Sequence, residues 1–289
     1  MVAIGIILAF VAMIGWGFGD FFIQKSARKI GDWETLFIIT FFGAVALFPF
    51  IYKDIPSLFS SINSSILILF IAALVLFFAA LLDFEALKKG KLDIVEPIWS
   101  LEIPISALLA FIILREEITL GQIVLILLLI VGLVLVSFRS GPFSKKIFME
   151  KGALIAALAA LLMGAANFFV GWGARVSDAL MVNWFLNIFM MILSLIFIVS
   201  QRDIGNLIKH IKTNKKLCLQ ICILDNSAWI AFAFAMTLAP IGIAVALSDS
   251  YIIIAVLLGV FVNKEVLHRH QKLGLLIAII SALILAYIT

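Results

Sequence analysis

Apolar residues gather along this chain into ten long blocks, residues 2–24, 33–52, 64–87, 93–114, 119–138, 152–173, 179–200, 216–239, 242–263 and 270–288, with most polar positions falling between them. A hydrocarbon core of about 30 Å is crossed by roughly 20 apolar residues in helical form, so the pattern predicts ten transmembrane helices, numbered spans 1 to 10. The intervals between them are too short to hold a soluble catalytic domain. The first block begins at residue 2 with no basic stretch before it, unlike a cleaved secretory signal, and is expected to remain as span 1.

Composition agrees with a bilayer as the solvent. Hydrophobic residues make up 65% of the 289 positions and charged residues only 13%, with a mean hydropathy of +1.25, and a water-soluble domain of this kind would precipitate. The net charge of +4 does not point to nucleic acid, because the basic residues sit in loops. Of 21 Lys and Arg, 18 follow the odd-numbered spans: Lys25, Arg28 and Lys29; Lys88, Lys89 and Lys91; Arg139, Lys145, Lys146 and Lys151; Arg202, Lys209, Lys212, Lys215 and Lys216; and Lys264, Arg269 and Lys272. Only Lys53, Arg115 and Arg175 fall on the other side. The positive-inside rule therefore places the first set in the cytoplasm and both termini outside, in a multi-pass protein of the cell membrane.

The chain also repeats itself. Gly17-Phe18-Gly19-Asp20-Phe21-Phe22 returns 147 residues later as Gly164-Ala165-Ala166-Asn167-Phe168-Phe169, and Ala27-Arg28 falls on Ala174-Arg175. With an offset of 149, Arg115-Glu116 falls on Lys264-Glu265 and Gln122 on Gln271. The segment Arg139-Ser140-Gly141-Pro142-Phe143-Ser144-Lys145-Lys146 cannot continue a membrane helix and separates the copies. The expected organisation is a first five-helix repeat (1–138), a linker (139–151) and a second five-helix repeat (152–289). Because basic residues follow the first and third helices of one copy but the second and fourth of the other, the two are inserted in opposite senses. The fold class is all-α integral membrane, two inverted five-helix repeats around a central cavity, as suits a site presented alternately to the two sides of a membrane.

The paired ends Leu114-Arg115-Glu116-Glu117-Ile118-Thr119 with Gln122, and Asn263-Lys264-Glu265-Val266-Leu267 with Gln271 and Gly274, together with Ile14-Gly15-Trp16-Gly17, resemble the drug/metabolite transporter superfamily, specifically its ten-helix EamA-type group. The resemblance covers nearly the whole chain. It implies a cavity lined mainly by spans 1, 3, 4, 6, 8 and 9, and efflux or uptake of small metabolites. It also implies cytoplasmic termini, opposite to the loop charge.

Ionised side chains at the bilayer centre cost about 2.5–3.5 kcal/mol on insertion scales and are usually functional. Glu102, Asp225 and Asp249 lie mid-span in spans 4, 8 and 9, with no Lys or Arg at similar depth. Each must be protonated, paired with a cation or hydrated, which points to a proton-coupled or cation-accepting pathway. At 100° per residue Glu96, Trp99, Glu102 and Ser106 share one face of span 4, and Pro97 and Pro104 each remove a backbone donor, predicting a kink near Trp99 and Glu102 or a bend that serves packing alone. Cys218, Cys222, Asp225, Asn226, Trp229, Ala233 and Met236 share a face of span 8. A ligand cation could lie over Trp99 or Trp229. Trp16 is a further lining candidate, whereas Trp33 and Trp184 suit headgroup anchors. Span 1 presents Ala9, Met13, Trp16, Gly17, Asp20 and Gln24, and span 6 Ala160, Met163, Gly164, Asn167 and Gly171. Asp20 and Asn167 are repeat equivalents of unlike chemistry. In span 9 the polar run Ser248, Asp249, Ser250 and Tyr251 marks a site, with Asp249 foremost. Asp83 and Glu85 are expected to balance Lys88, Lys89 and Lys91 at the membrane surface.

Two thiols four residues apart on a helix suit packing better than zinc or a disulfide. His210, His268 and His270 fall in charged loops. No metal or cofactor is implied. The expected function is secondary transport of a cationic or zwitterionic small molecule (an amine, drug-like cation or amino acid), with protons and lipid as further partners and no nucleic acid. A channel or receptor accounts less well for the inverted duplication, and an intramembrane enzyme using Mg²⁺ lacks the acidic repeat it would need.

Overall fold

A computed structural model describes residues 1–59, 64–89, 97–137, 151–201, 204–262, 264 and 266–289. Glu96, residues 138–150 with the linker sequence, Lys91, Arg202, Asn263 and Glu265 lie outside the described residues, as do the side chains of Asp20, Gln24, Lys88, Lys89 and Lys151.

Among the described residues, ten helices are long and apolar enough to cross a membrane. Span 1 is Val2–Ile30, span 2 Asp32–Ile51, span 3 Ser64–Lys89, span 4 Pro97–Leu114 and span 5 Leu120–Ser137. Span 6 is Lys151–Val176, span 7 Ala179–Ser200, span 8 Lys215–Leu238, span 9 covers 241–262 and span 10 is Arg269–Ile288. Several helices outrun the apolar blocks: span 1 continues through Lys25, Arg28 and Lys29. Long basic side chains can lay their stems along the apolar zone and hold their charge at its edge, so the helix need not stop where hydrophobicity does. Two short helices, Ile55–Phe59 and Ile204–Thr213, join spans 2 to 3 and 7 to 8. Outward-facing Leu108, Phe111, Ile112, Val131, Leu158 and Leu283 present an apolar surface suited to lipid.

Packing follows a pseudo-twofold relation that exchanges span n with span n + 5. Span 1 packs on span 8 as span 6 packs on span 3, span 9 meets span 1 as span 4 meets span 6, and the pairs 2–7, 4–9 and 5–10 are each self-related. Glycine makes the closest approaches possible. A Cβ on Gly17 would stand 2.5 Å from Ile254 Cβ, and one on its repeat equivalent Gly164 would stand 2.7 Å from Ile105 Cβ and from the Glu102 carbonyl oxygen. Ile105 and Ile254 are themselves 149 residues apart, so one contact is built twice. Spans 5 and 10 meet at Gly132 and Gly274, each with no room for a side chain.

The ends of spans 4 and 9 are also turned alike. Arg115 and Lys264 take left-handed φ of 57° and 60°. After each, a glutamine side chain closes the next helix start, Gln122 Oε1 accepting from Thr119 N at 2.9 Å and Gln271 Oε1 from His268 N at 3.0 Å. The amide nitrogens then reach the partner helix end, Gln122 to Thr289 Oγ1 (3.2 Å) and Gln271 to the Val136 carbonyl (3.0 Å).

Candidate functional site

Both spans 4 and 9 are interrupted, at repeat-equivalent positions. Span 4 runs as a turn at residues 97–99, breaks at Ser100 and Leu101, and resumes as Glu102–Leu114. Pro104 has no N–H to offer the Ser100 carbonyl, which is why the ladder fails at that point. Span 9 runs as Ile241–Ser248, breaks at Asp249 and Ser250, and resumes as Tyr251–Val262. No proline is present, and the break is made instead by a tightened turn in which Ser250 N donates to the Leu247 carbonyl at 3.3 Å. Adding 149 to Ser100 and Leu101 gives Asp249 and Ser250.

The two breaks face one another across a cleft lined by Trp99, Ser100, Glu102, Ile103, Leu133, Asp249, Tyr251 and Ile252. Its free space is about 10 Å³, room for about one water. Glu102 lies within charge-interaction range of Asp249, and Asn167 Nδ2 donates to Glu102 Oε2 at 3.5 Å from span 6. Among the described residues, no Lys or Arg lines the cleft. Beside it stands an aromatic cluster in which Trp16 meets Trp229 (5.2 Å between ring centroids), Phe232 (5.0 Å) and Tyr251 (6.4 Å), all edge to face. Through Tyr251 the cluster adjoins the cleft.

Of the residues singled out in the sequence, Trp99, Glu102, Asp249 and Tyr251 thus line one cleft, Asn167 adjoins it through Glu102, and Trp16 and Trp229 form its neighbouring wall. Ser248 is fully buried and donates to the Ala9 carbonyl at 3.3 Å, tying span 9 to span 1. Asn226 is placed differently from the sequence expectation. Its amide donates to the Ile39 carbonyl (3.1 Å) and the Cys222 carbonyl (3.0 Å) and accepts from Asn187 Nδ2 (3.2 Å), which directs it at spans 2 and 7. Gly43 leaves space for that amide pair. Cys218 and Cys222 are free, buried thiols on the same packed side. Asp225 stands half-buried, within charge-interaction range of Cys222, and is not among the cleft residues.

Two further residues come into view only in three dimensions. Asp83, expected to balance lysines at the membrane surface, faces Trp99 and lies in charge-interaction range of Glu102, while the side chains of Lys88, Lys89 and Lys91 lie outside the described residues. The contact falls short of a hydrogen bond, since Asp83 Oδ1 and Trp99 Nε1 are both buried without a partner among the described residues. Arg175 ion-pairs with Glu116 at the face that carries the termini. The signals for this second pair were present: Arg175 is one of three basic residues on that side, and Glu116 belongs to the repeated span-4 ending.

A crystal structure, described only as "Crystal structure of protein", matches with a TM-score of 0.74 at 14% identity, covering 98% of this chain and 96% of that one; at such identity it shows a shared fold. A comparison with curated proteins found no match. The profile of the EamA-like transporter family matches twice, over residues 3–138 and 150–287. With ten crossings, an internal repeat and nearly its whole length matched, this chain belongs to the EamA-like transporter family, and is a multi-pass membrane transporter of small molecules.

Proposed function

We propose that the protein is a proton-coupled, alternating-access transporter of a small cationic or zwitterionic molecule, such as an amine, a drug-like cation or an amino acid, with both termini outside the cytoplasm. The observation that carries this reading is the pairing of Glu102 with Asp249 at two interrupted helices, in a cleft with no basic residue. Two carboxylates in a low-dielectric interior need neutralising, and a proton or the positive group of a ligand does so. Competition between the two would link their movements. The aromatic wall of Trp16, Trp229 and Tyr251 is suited to the apolar body or the cationic group of such a ligand. Orientation rests on the 18 of 21 basic residues that follow odd-numbered spans.

A thermal-shift screen of amines, amino acids and anionic metabolites identifies the ligand, since specific binding raises apparent stability. Purified protein in proteoliposomes should then accumulate that ligand against its gradient when a pH gradient is imposed, and lose it when a protonophore is added. Equilibration at the same level with and without the pH gradient would sink the coupling. Stabilisation by anionic metabolites alone would sink the substrate class.

A further inference from the structure

Five buried side-chain polar atoms lack a hydrogen-bond partner among the described residues, and four of them gather around the cleft: Trp99 Nε1, Ser100 Oγ, Asp249 Oδ2 and Asp83 Oδ1. Native interiors leave few such atoms, and a cluster of them marks a place where something polar comes and goes. Ser100 is only 4% exposed, so its hydroxyl has no bulk solvent to turn to. Asp83 differs from the others in position. It lies on span 3, six residues before the helix ends at Lys89, about 9 Å along the axis from the basic face. Glu102 has both Asp83 and Asp249 within charge-interaction range, and so stands between them.

Among the described side chains, the ionisable surroundings of Asp83 are sparse. Glu85, Lys88 and Lys89 lie further along its own helix toward the basic face. Span 6, which packs along span 3, carries no ionisable side chain between residues 152 and 174. From span 4 it is faced by the Trp99 indole and by Glu102, whose other acidic neighbour is Asp249. The three carboxylates therefore form a series, Asp83 to Glu102 to Asp249, and among the described residues no Lys or Arg lines the cleft they lead to.

Resting on the proton-coupling reading, we infer that Asp83 is the entry step of that coupling, the carboxylate through which protons pass between the basic face and the Glu102–Asp249 pair. In the forward step a hydronium ion at the basic face gives its proton to an Asp83 oxygen and leaves as water. That proton then crosses to Glu102 through a water entering between them: the Asp83 O–H bond breaks as the water takes the proton, the water gives up another to a Glu102 oxygen, and Asp83 returns to carboxylate. The Trp99 N–H, unpartnered among the described residues, is a donor only and passes no proton on. Asp83 does not touch substrate in this scheme, so its loss should slow proton delivery without changing how many protons the cleft finally takes up.

The test is a rapid pH drop applied to the full-length protein in lipid, with the carboxylic-acid carbonyl band followed by time-resolved infrared spectroscopy. Glu102→Gln and Asp249→Asn variants identify the cleft components of that band. Asp83→Asn is expected to slow their appearance about 100-fold while leaving their final amplitude unchanged, and Asp83→Glu is expected to restore the rate. Unaltered cleft amplitude also reports that the variant is folded. A wild-type rate in Asp83→Asn would overturn the relay alone. A wild-type protein whose cleft bands do not respond to pH would overturn the coupling and the relay together.

Discussion

Arg175 and Glu116 are ion-paired across the boundary between the two repeats, and each also holds the end of a third helix. The Arg175 guanidinium donates to the Met236 and Ala239 carbonyls at 2.7 and 2.9 Å, while Glu116 accepts from Ile241 N at 2.8 Å. One pair thus ties spans 4, 6, 8 and 9 together at the face bearing the termini, with side chains 28% and 11% exposed. Arg175→Ala should lower stability by on the order of 2 kcal/mol, with Arg175→Lys intermediate because a single ammonium cannot span the same acceptors. A cysteine placed at buried Ala239 should resist an impermeant maleimide in the parent and react once Arg175 is Ala. Equal labelling in both would show that the pair does not close this face.

Gly17→Ala and Gly164→Ala should each destabilise by about 1–3 kcal/mol, because an added methyl meets Ile254 on one side and Ile105 with backbone on the other. Gly205→Ala is the control: nothing stands within 4 Å of its Cβ, so gaining a better helix former should be neutral or stabilising by up to about 1 kcal/mol. Apparent melting temperatures of the three variants in one detergent settle the comparison.

Asn226→Ala should cost about 1–3 kcal/mol by leaving the Asn187 amide and the Ile39 carbonyl unpaired, yet ligand affinity in titration calorimetry should stay near that of the parent. A large loss of affinity without loss of stability would return Asn226 to the binding surface.

Glu102→Gln and Asp249→Asn should remove the pH dependence of accumulation while leaving passive exchange measurable. Flux assays with and without an imposed pH gradient separate the two. Retention of full pH-driven accumulation by both variants would contradict their assigned role.

Pro104→Ala restores a donor for the Ser100 carbonyl and should draw the helix of span 4 back through Ser100 and Leu101. Higher thermal stability together with slower transport is the expected pair of outcomes, a trade often seen where function uses an interrupted helix. Faster transport would show the break to be incidental.

The ten crossings and the inverted repeat are legible in the sequence because hydrophobic length and the recurrence of Gly17/Gly164 and Gln122/Gln271 are one-dimensional signals. The broken span 4 is legible too, since Pro97 and Pro104 announce it, whereas the equivalent break at Asp249–Ser250 carries no proline and shows only as polarity. Asn226 is the instructive exception. It shares a helical face with Trp229, but a helix inside a bundle is buried on more than one side, and a helical wheel cannot tell a cleft from a packed neighbour. Asp83 was hidden for a related reason: proximity to lysines in sequence says nothing of Trp99 and Glu102, which approach from another helix.

The narrowness of the cleft bears on the membrane itself. A continuous thread of water across a bilayer under voltage would conduct protons and drain the gradient that every other transporter in that membrane draws on. With about 10 Å³ free between the two helix breaks, there is room there for about one water and not for a column.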